Sequence, residues 1–187
     1  SFTSGTANAG GRSANSLNSP VGVAVDASRL VVLDARNHRV LVYDNPGADT
    51  TADVVIGQDD MATSGAGTSA TRIGLSFGSV SLDGTGRIWV SDSANNRVLR
   101  FSPPFTNGMA ADLVLGQPDF TSTSPTPTTS RLYGPRQTGF DPAGNLLVAD
   151  SNASRVVRYT APFALGMAPS HVLGQADLAG FLGGTGN

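Results

Sequence analysis

The 187-residue chain contains no cysteine. Disulfides, thiolate nucleophiles and cysteine-based zinc or iron–sulfur sites are thereby excluded. Lysine and glutamate are also missing: all 12 basic residues are arginine and all 14 acidic residues are aspartate. Schiff-base lysine chemistry and glutamate general bases go with them. Lysine and glutamate are strong helix formers, whereas the 23 glycines and 11 prolines break helices. Helical bundles, coiled coils and α/β folds with long surface helices therefore fit poorly. Charge is sparse, 14% of residues against a usual ~25%. The net charge of −2 provides no general attraction to nucleic acid or to an anionic membrane. No apolar run approaches the ~20 residues of a membrane span. The chain opens at Ser1 without an initiator methionine, as expected of a processed form, an excised piece or an incompletely known sequence.

What is present is a repeat. Asp34-Ala35-Arg36-Asn37-His38-Arg39-Val40, Asp92-Ser93-Ala94-Asn95-Asn96-Arg97-Val98 and Asp150-Ser151-Asn152-Ala153-Ser154-Arg155-Val156 align without gaps, each 58 positions from the next. A second mark, Gly-Gln, falls in step at Gly57-Gln58, Gly116-Gln117 and Gly174-Gln175. A third is an Asp closing an apolar run, at Asp26, Asp83 and Asp141, and Phe2, Met61, Phe120 and Leu178 keep the same period. Agreement of independent marks on one period defines a repeat architecture.

Each unit reads as four short strands; in the second they are expected at Ser79–Asp83, Arg87–Ser91, Arg97–Phe101 and Asp112–Leu115. Turns such as Asp83-Gly84-Thr85-Gly86 join the first pair, with glycine supplying positive φ. The second and third strands are almost continuously apolar, as in Leu30-Val31-Val32-Leu33, which predicts burial on both faces between stacked sheets. Four short strands per repeat with no helical spacer is the pattern of a β-propeller blade. The expected fold is all-β: three four-stranded antiparallel blades forming a partial ring, at residues 2–60, 61–119 and 120–178, with 179–187 a terminal interblade loop.

Asp-x-x-Asn-x-Arg-Val followed by Tyr43, Phe101 or Tyr159, with Gly144-Asn145-Leu146-Leu147-Val148-Ala149-Asp150 before the third copy, resembles the NHL repeat. The run Val114-Leu115-Gly116-Gln117-Pro118-Asp119-Phe120 is similar to a long-repeat bacterial variety found in surface and secreted proteins. The resemblance covers all three units and implies a propeller, usually of six blades. It does not imply one activity, since such propellers include enzymes, RNA binders and protein-interaction platforms. The third unit departs from the pattern in having Ala153 where Asn37 and Asn95 stand.

The pairs Asp34/Arg39, Asp92/Arg97 and Asp150/Arg155, together with Asn37 and Asn95, are expected to build the hairpin between the second and third strands rather than to bind a ligand. Buried polar groups need partners, and a short turn brings each carboxylate to its guanidinium. Gln58, Gln117 and Gln175 are expected to satisfy the backbone of the connecting loop. No catalytic constellation emerges. His38 and His171 fall at different repeat positions, so a solvent-exposed turn is the expectation for His38, and no multi-histidine zinc set matches the one in NHL-like amidating lyases. Asp59-Asp60 lacks the six to eight oxygen ligands calcium takes, and serines without a placed histidine base have no route to activation. Neither a catalytic residue, a metal ligand nor a cofactor is expected.

Arg72, Arg100, Arg131, Arg136 and Arg158 are left as candidate surface cations; unless they converge on one face, no nucleic-acid partner is expected. The interblade loops are long and rich in Ser, Thr, Gly and Ala. Thr121–Ser130 has the composition of an O-glycosylated stretch, with Thr126 and Thr128 as candidates, and Asn152-Ala153-Ser154 is an N-glycosylation sequon. Three blades do not close a ring, so two apolar blade faces are expected to be exposed. Two chains pairing into six blades, further blades of a longer chain, or head-to-tail stacking into a filament would each cover them. The functional expectation is a non-enzymatic extracellular or cell-surface module for self-assembly or for protein or glycan recognition, without a membrane span. The alternative is a metal-dependent lyase or hydrolase with its site on the ring axis.

Overall fold

The computed structural model describes residues 5–178; the repeat mark Phe2 and the expected terminal loop 179–187 lie outside them. Twelve strands form three separate sheets. β1 (Pro20–Val25), β2 (Arg29–Asp34), β3 (Arg39–Asp44) and β4 (Val54–Ile56) make the first blade. β5 (Val80–Leu82), β6 (Ile88–Asp92), β7 (Arg97–Phe101) and β8 (Leu113–Leu115) make the second. β9 (Pro135–Phe140), β10 (Leu146–Asp150), β11 (Arg155–Tyr159) and β12 (His171–Leu173) make the third. Every sheet is an antiparallel meander in chain order, and no α-helix occurs among the described residues.

The central strands stay buried because both of their faces find a neighbour. Val31, Leu33, Val40 and Val42 of the first blade meet Val80, Ile88, Val90, Leu99 and Phe101 of the second. The opposite face of the second blade, with Trp89, Val98, Leu113 and Leu115, meets Leu132, Leu146, Val148 and Tyr159 of the third. A strand sandwiched in this way shows no polar–apolar alternation. The inner strands converge: the hydroxyls of Ser79, just before β5, and Ser81 on β5 lie 3.1 and 2.8 Å from that of Thr138 on β9. At Gly22 on β1 a Cβ would come within 3.3 Å of the Val80 amide nitrogen.

The two outer faces differ from each other. On the first blade, Leu41, Tyr43 and Val55 are buried beneath Ala14, Leu17, Ala52 and Met61. Only the inner edge, Val21, Val23 and Val25, is exposed. The expected open face is therefore half covered by the chain's own entry segment. On the third blade, β10 and β11 alternate between buried and half-buried residues, and Leu173 is 63% exposed.

The Asp that closes the first strand of each unit caps the turn behind it. Asp26 accepts from the Ser28 amide, and Asp141 accepts from the Ala143 and Asn145 amides and from Asn145 Nδ2. Asp83 does most: it takes the Thr85 amide and hydroxyl, Arg87 Nε at 2.7 Å and Trp89 Nε1 at 2.9 Å. Burial pushes the Asp83 carboxyl up, but the bonds from Trp89, Thr85 and Arg87 outweigh it and hold the carboxyl at about 2. A depressed carboxylate stabilises the fold above its ordinary range, and that contribution is lost as the pH falls through the folded value. Asp83 should thus cost the protein about 2 kcal/mol between pH 4 and pH 2. Trp89 is the single tryptophan, so its fluorescence should titrate with Asp83. Asp83→Asn should shrink the acid-induced loss of stability, and an unchanged acid profile in that variant would refute this role.

Candidate functional site

Each repeated Asp/Arg pair sits directly opposite across the hairpin: Asp34 against Arg39, Asp92 against Arg97, and Asp150 against Arg155. Arg Nε reaches the carboxylate at 2.8, 2.7 and 2.8 Å, with both side chains essentially without solvent exposure. A single-turn 3-10 segment lies between them, and it ends in a left-handed residue, His38, Asn96 or Ser154. The free carboxylate oxygen accepts the amide of Asn18, Gly74 or Tyr133, just ahead of the inner strand. The guanidinium donates onward to carbonyls of the loops that enter and leave the blade. Arg39 reaches Ser16 and Met61, Arg97 reaches Arg72 and Phe120, and Arg155 reaches Arg131 and Leu178. Met61, Phe120 and Leu178 keep the period because each offers that carbonyl.

Asn37 and Asn95 donate to Asp34 and Asp92 and tie in residues ahead of the blade, Asn8 and Gly67. Ala153, in the third unit, is buried and contributes only volume. Gln58 Nε2 bridges the carbonyls of His38 and Gly65, Gln117 Nε2 those of Asn96 and Ser124, and Gln175 Nε2 those of Ala153 and Ser154. The preceding glycines have φ of 86, 82 and 89°. At Gly57 and Gly116 a Cβ would also strike Ile73 or Leu132 within 2.5 Å. Burial pushes the Asp92 and Asp150 carboxyls above the usual range, opposed by the Arg97 charge at Asp92 and by the Tyr133 amide at Asp150. The hydrogen bonds of these side chains run to other parts of the same chain, and Gln117 Oε1 is buried without a partner. These clasps hold blades together.

The other sequence candidates are dispersed. Arg72 pairs with Asp59, Arg100 with Asp112, and Arg158 stands 4.0 Å from Asp141. Asp60 caps its own turn through the Ala62 and Thr63 amides. His38 departs from the expected solvent-exposed turn: it is half-buried, its Nδ1 accepts the Leu75 amide at 3.0 Å, and burial lowers its pKa. It links the first blade to the entry of the second, which no repeat pattern signals. His171 is exposed and contacts Ser170. Asn152 and Thr126 are exposed, whereas Thr128 is half-buried, its hydroxyl accepting the amides of Ser130 and Arg131. The Ser/Thr-rich loop is pinned at Ser124 by Gln117 and at Thr128 by Arg155.

A different cluster stands out where the units diverge. Counted from Val23, Val80 and Thr138, which face Val32, Val90 and Val148, Phe77 occupies the place of Pro20 and Pro135. By the same count, Arg136 occupies the place of Val21 and Gly78. Both lie at the converging ends of the inner strands. Phe77 is 54% exposed, and the Arg136 guanidinium lies 4.5 Å from its ring centroid. They border a recess of about 330 Å³ that Ser93, Asn96, Tyr133 and Asn152 also line. Its walls are fixed: Ser93 Oγ accepts the Phe77 amide and donates to its carbonyl, and Asn96 Oδ1 accepts the Gly134 amide at 2.9 Å. A guanidinium on an aromatic face keeps its edge donors for a carboxylate. Aligning the inner strands of the three units would have exposed Phe77 and Arg136; the Asp, Arg and Gln marks do not.

Comparison with known proteins adds a family to this geometry. A model of the NHL repeat matches residues 17–43, spanning β1, β2, the clasp and β3 up to Tyr43. Residues 17–43 are similar to the NHL repeat. The second and third blades repeat the topology and the Asp–Arg clasp of that unit. No curated protein matches the chain significantly. Among solved structures, virginiamycin B lyase from Staphylococcus aureus is similar at a TM-score of 0.50 and 16% identity, over 82% of this chain and 42% of that one. A candidate 6-phosphogluconolactonase from Bacteroides uniformis is similar at 0.51 and 17%, over 84% and 43%. The chain spans about two fifths of the length of these structures. At such identity the likeness carries the propeller fold alone. Among the described residues no cluster of three or more His, Asp, Glu or Cys is arranged to hold a metal ion, and no helix is long and apolar enough to cross a membrane.

Proposed function

We propose that this chain is a non-enzymatic recognition module of an extracellular propeller, and that it binds a carboxylate-bearing glycan or peptide at the Phe77–Arg136 recess. The reading rests on one observation: the three units keep the residues that hold blades together and diverge at an exposed aromatic–guanidinium pair. A residue present in every blade serves the blade, whereas a departure at the mouth of the ring serves something else. The recess offers stacking from Phe77, charge from Arg136 and an amide group from Asn152, the mixture that oriented recognition of small polar groups requires. An extracellular setting accords with the exposed Asn152 sequon and the exposed Thr126.

Binding of the purified chain to panels of acidic glycans and acidic peptides tests this. Phe77→Ala and Arg136→Ala should each weaken a specific interaction at least about tenfold, a loss of some 1.4 kcal/mol, without altering thermal unfolding by more than about 0.5 kcal/mol, as expected at exposed sites. Variants that bind as the parent does would overturn the site. Stoichiometric, tightly held zinc or calcium in the purified protein would overturn the non-enzymatic reading.

A further inference from the structure

The loop between the third and outer strands does something different in the second and third blades than in the first. In the second blade it contains Pro104-Phe105-Thr106-Asn107-Gly108-Met109, and in the third Pro162-Phe163-Ala164-Leu165-Gly166-Met167. Both reach back onto the preceding blade. The Gly108 amide donates to the carbonyl of Val55 on β4, and Asn107 Oδ1 accepts the Val55 amide at 2.9 Å. One blade on, the Gly166 amide donates to the carbonyl of Val114 on β8. The aromatic ring then enters the gap between the sheets. Phe105 sits under the Arg29 guanidinium at 5.0 Å, and Phe163 packs edge-on to Trp89 at 4.9 Å. The glycine is required: at Gly108 and Gly166 φ is +68 and +63°, and a Cβ would come within 3.3 Å of the backbone of Asp59 or Pro118.

The third blade carries the receiving half of the same contact on its open side. Val172 on β12 occupies the register position of Val55 and Val114, facing Val157 as they face Leu41 and Leu99. Leu147 holds the place of Val31 and Trp89. Around Leu147, beside the backbone of Val172, lies an almost wholly apolar recess of about 260 Å³, lined also by Val156, Val157, His171 and Leu173. Arg158 stands at its rim, 4.0 Å from Asp141, with its Nε buried and without a hydrogen-bond partner. Arg100 holds the same register position in the second blade, facing Trp89 as Arg158 faces Leu147, and its guanidinium lies 5.6 Å from the centroid of the Trp89 ring that Phe163 packs against.

We infer that this recess is the seat of a Pro-Phe-x-x-Gly-Met loop from a following blade of the same repeat type. The occupant is a further blade rather than a second copy of this chain. Both such loops in the chain are engaged on its own blades, and the corresponding loop of the first blade, Asp44-Asn45-Pro46-Gly47-Ala48-Asp49-Thr50-Thr51-Ala52, contains neither the Phe nor the Met. A second copy docking with its first blade would leave the recess unfilled. The inference depends on the blade architecture and is independent of the Phe77–Arg136 recess.

The test is a titration of the isotope-labelled chain with a synthetic peptide of the sequence Ser102–Asp112, followed by amide NMR. The expected result is saturable shifts confined to Leu147, Val156, His171, Val172 and Leu173. Binding should fall at least tenfold when the peptide's Phe is replaced by Ala or when the chain carries Leu147→Arg. As a second measurement, the chain extended after Leu178 by another copy of residues 62–120, whose Asn107 supplies the acceptor that the Val55 amide finds, should show slowed hydrogen exchange at the Val172 amide, lost again on Phe→Ala in the appended loop. Shifts elsewhere on the surface, or exchange at Val172 unchanged by the extension, would overturn the inference. So would a dimer of the unextended chain, measured by light scattering, that Leu147→Arg dissociates.

Discussion

Arg97→Met should destabilise the protein by about 3–5 kcal/mol, the cost of leaving one member of a buried ion pair behind. The substitution strands the Asp92 carboxylate, which keeps only the Gly74 amide and Asn95 as donors, and unpairs the carbonyls of Ser69, Arg72 and Phe120. Denaturant unfolding followed by circular dichroism measures the loss. Asp92→Asn combined with Arg97→Met removes the stranded charge while keeping an acceptor for Gly74, and should recover about 1–2 kcal/mol, within the usual coupling of contacting residues. The pH dependence separates charge from packing. Burial already pushes the Asp92 carboxyl up with Arg97 opposing it, so in Arg97→Met the folded value lies above the unfolded one. Measured against the parent at each pH, the stability of that variant should be closest below the ordinary carboxylate range and should fall away as the pH rises through the raised Asp92 value. The double variant should lack this slope. A single variant as stable as the parent would remove the clasp from the account of what holds the blade.

The second large effect is expected at Trp89. Trp89→Ala should cost about 3–5 kcal/mol, as for other buried large-to-small changes. The side chain has no solvent exposure and packs edge-on against Phe140 at 5.5 Å and Phe163 at 4.9 Å. Its Nε1 also donates to Asp83. Trp89→Leu should cost less, because the equivalent positions carry the aliphatic Val31 and Leu147. Hydrogen exchange at the Gly166 amide should quicken in Trp89→Ala more than exchange within β2 and β3, since the loop of the third blade rests on this ring. Uniform loss of protection across all three blades would mean that the second–third interface is not a separate unit of stability.

Much of the fold was legible because a propeller spends the same residues in every blade. The strand expected at Arg97–Phe101 is found with those bounds, and the one expected at Ser79–Asp83 is Val80–Leu82. The carboxylate and guanidinium at Asp92 and Arg97 meet because they stand five positions apart across a tight hairpin, a local consequence of spacing. His38 was not legible in this way: its partner, the Leu75 amide, belongs to the next blade. Nor was the covering of Leu41 and Tyr43, since it depends on where the entry segment lies. Phe77 and Arg136 are adjacent only because β5 and β9 converge, and no feature of either residue's neighbourhood in the chain announces the other.

The sequence by itself determined the unit: its period, its four strands, and the Asp, Arg, Asn and Gln that close each hairpin, because those contacts are local or recur at one spacing. The absence of lysine and glutamate belongs to the same level, leaving a chain whose fully buried charges are Asp–Arg pairs inside hairpins. Only the tertiary structure decided which face of a blade is covered, which loop latches onto which strand, and that Phe77 and Arg136 meet. Those contacts join residues from about half a repeat to a full repeat apart, where packing geometry rather than the local pattern selects the partner.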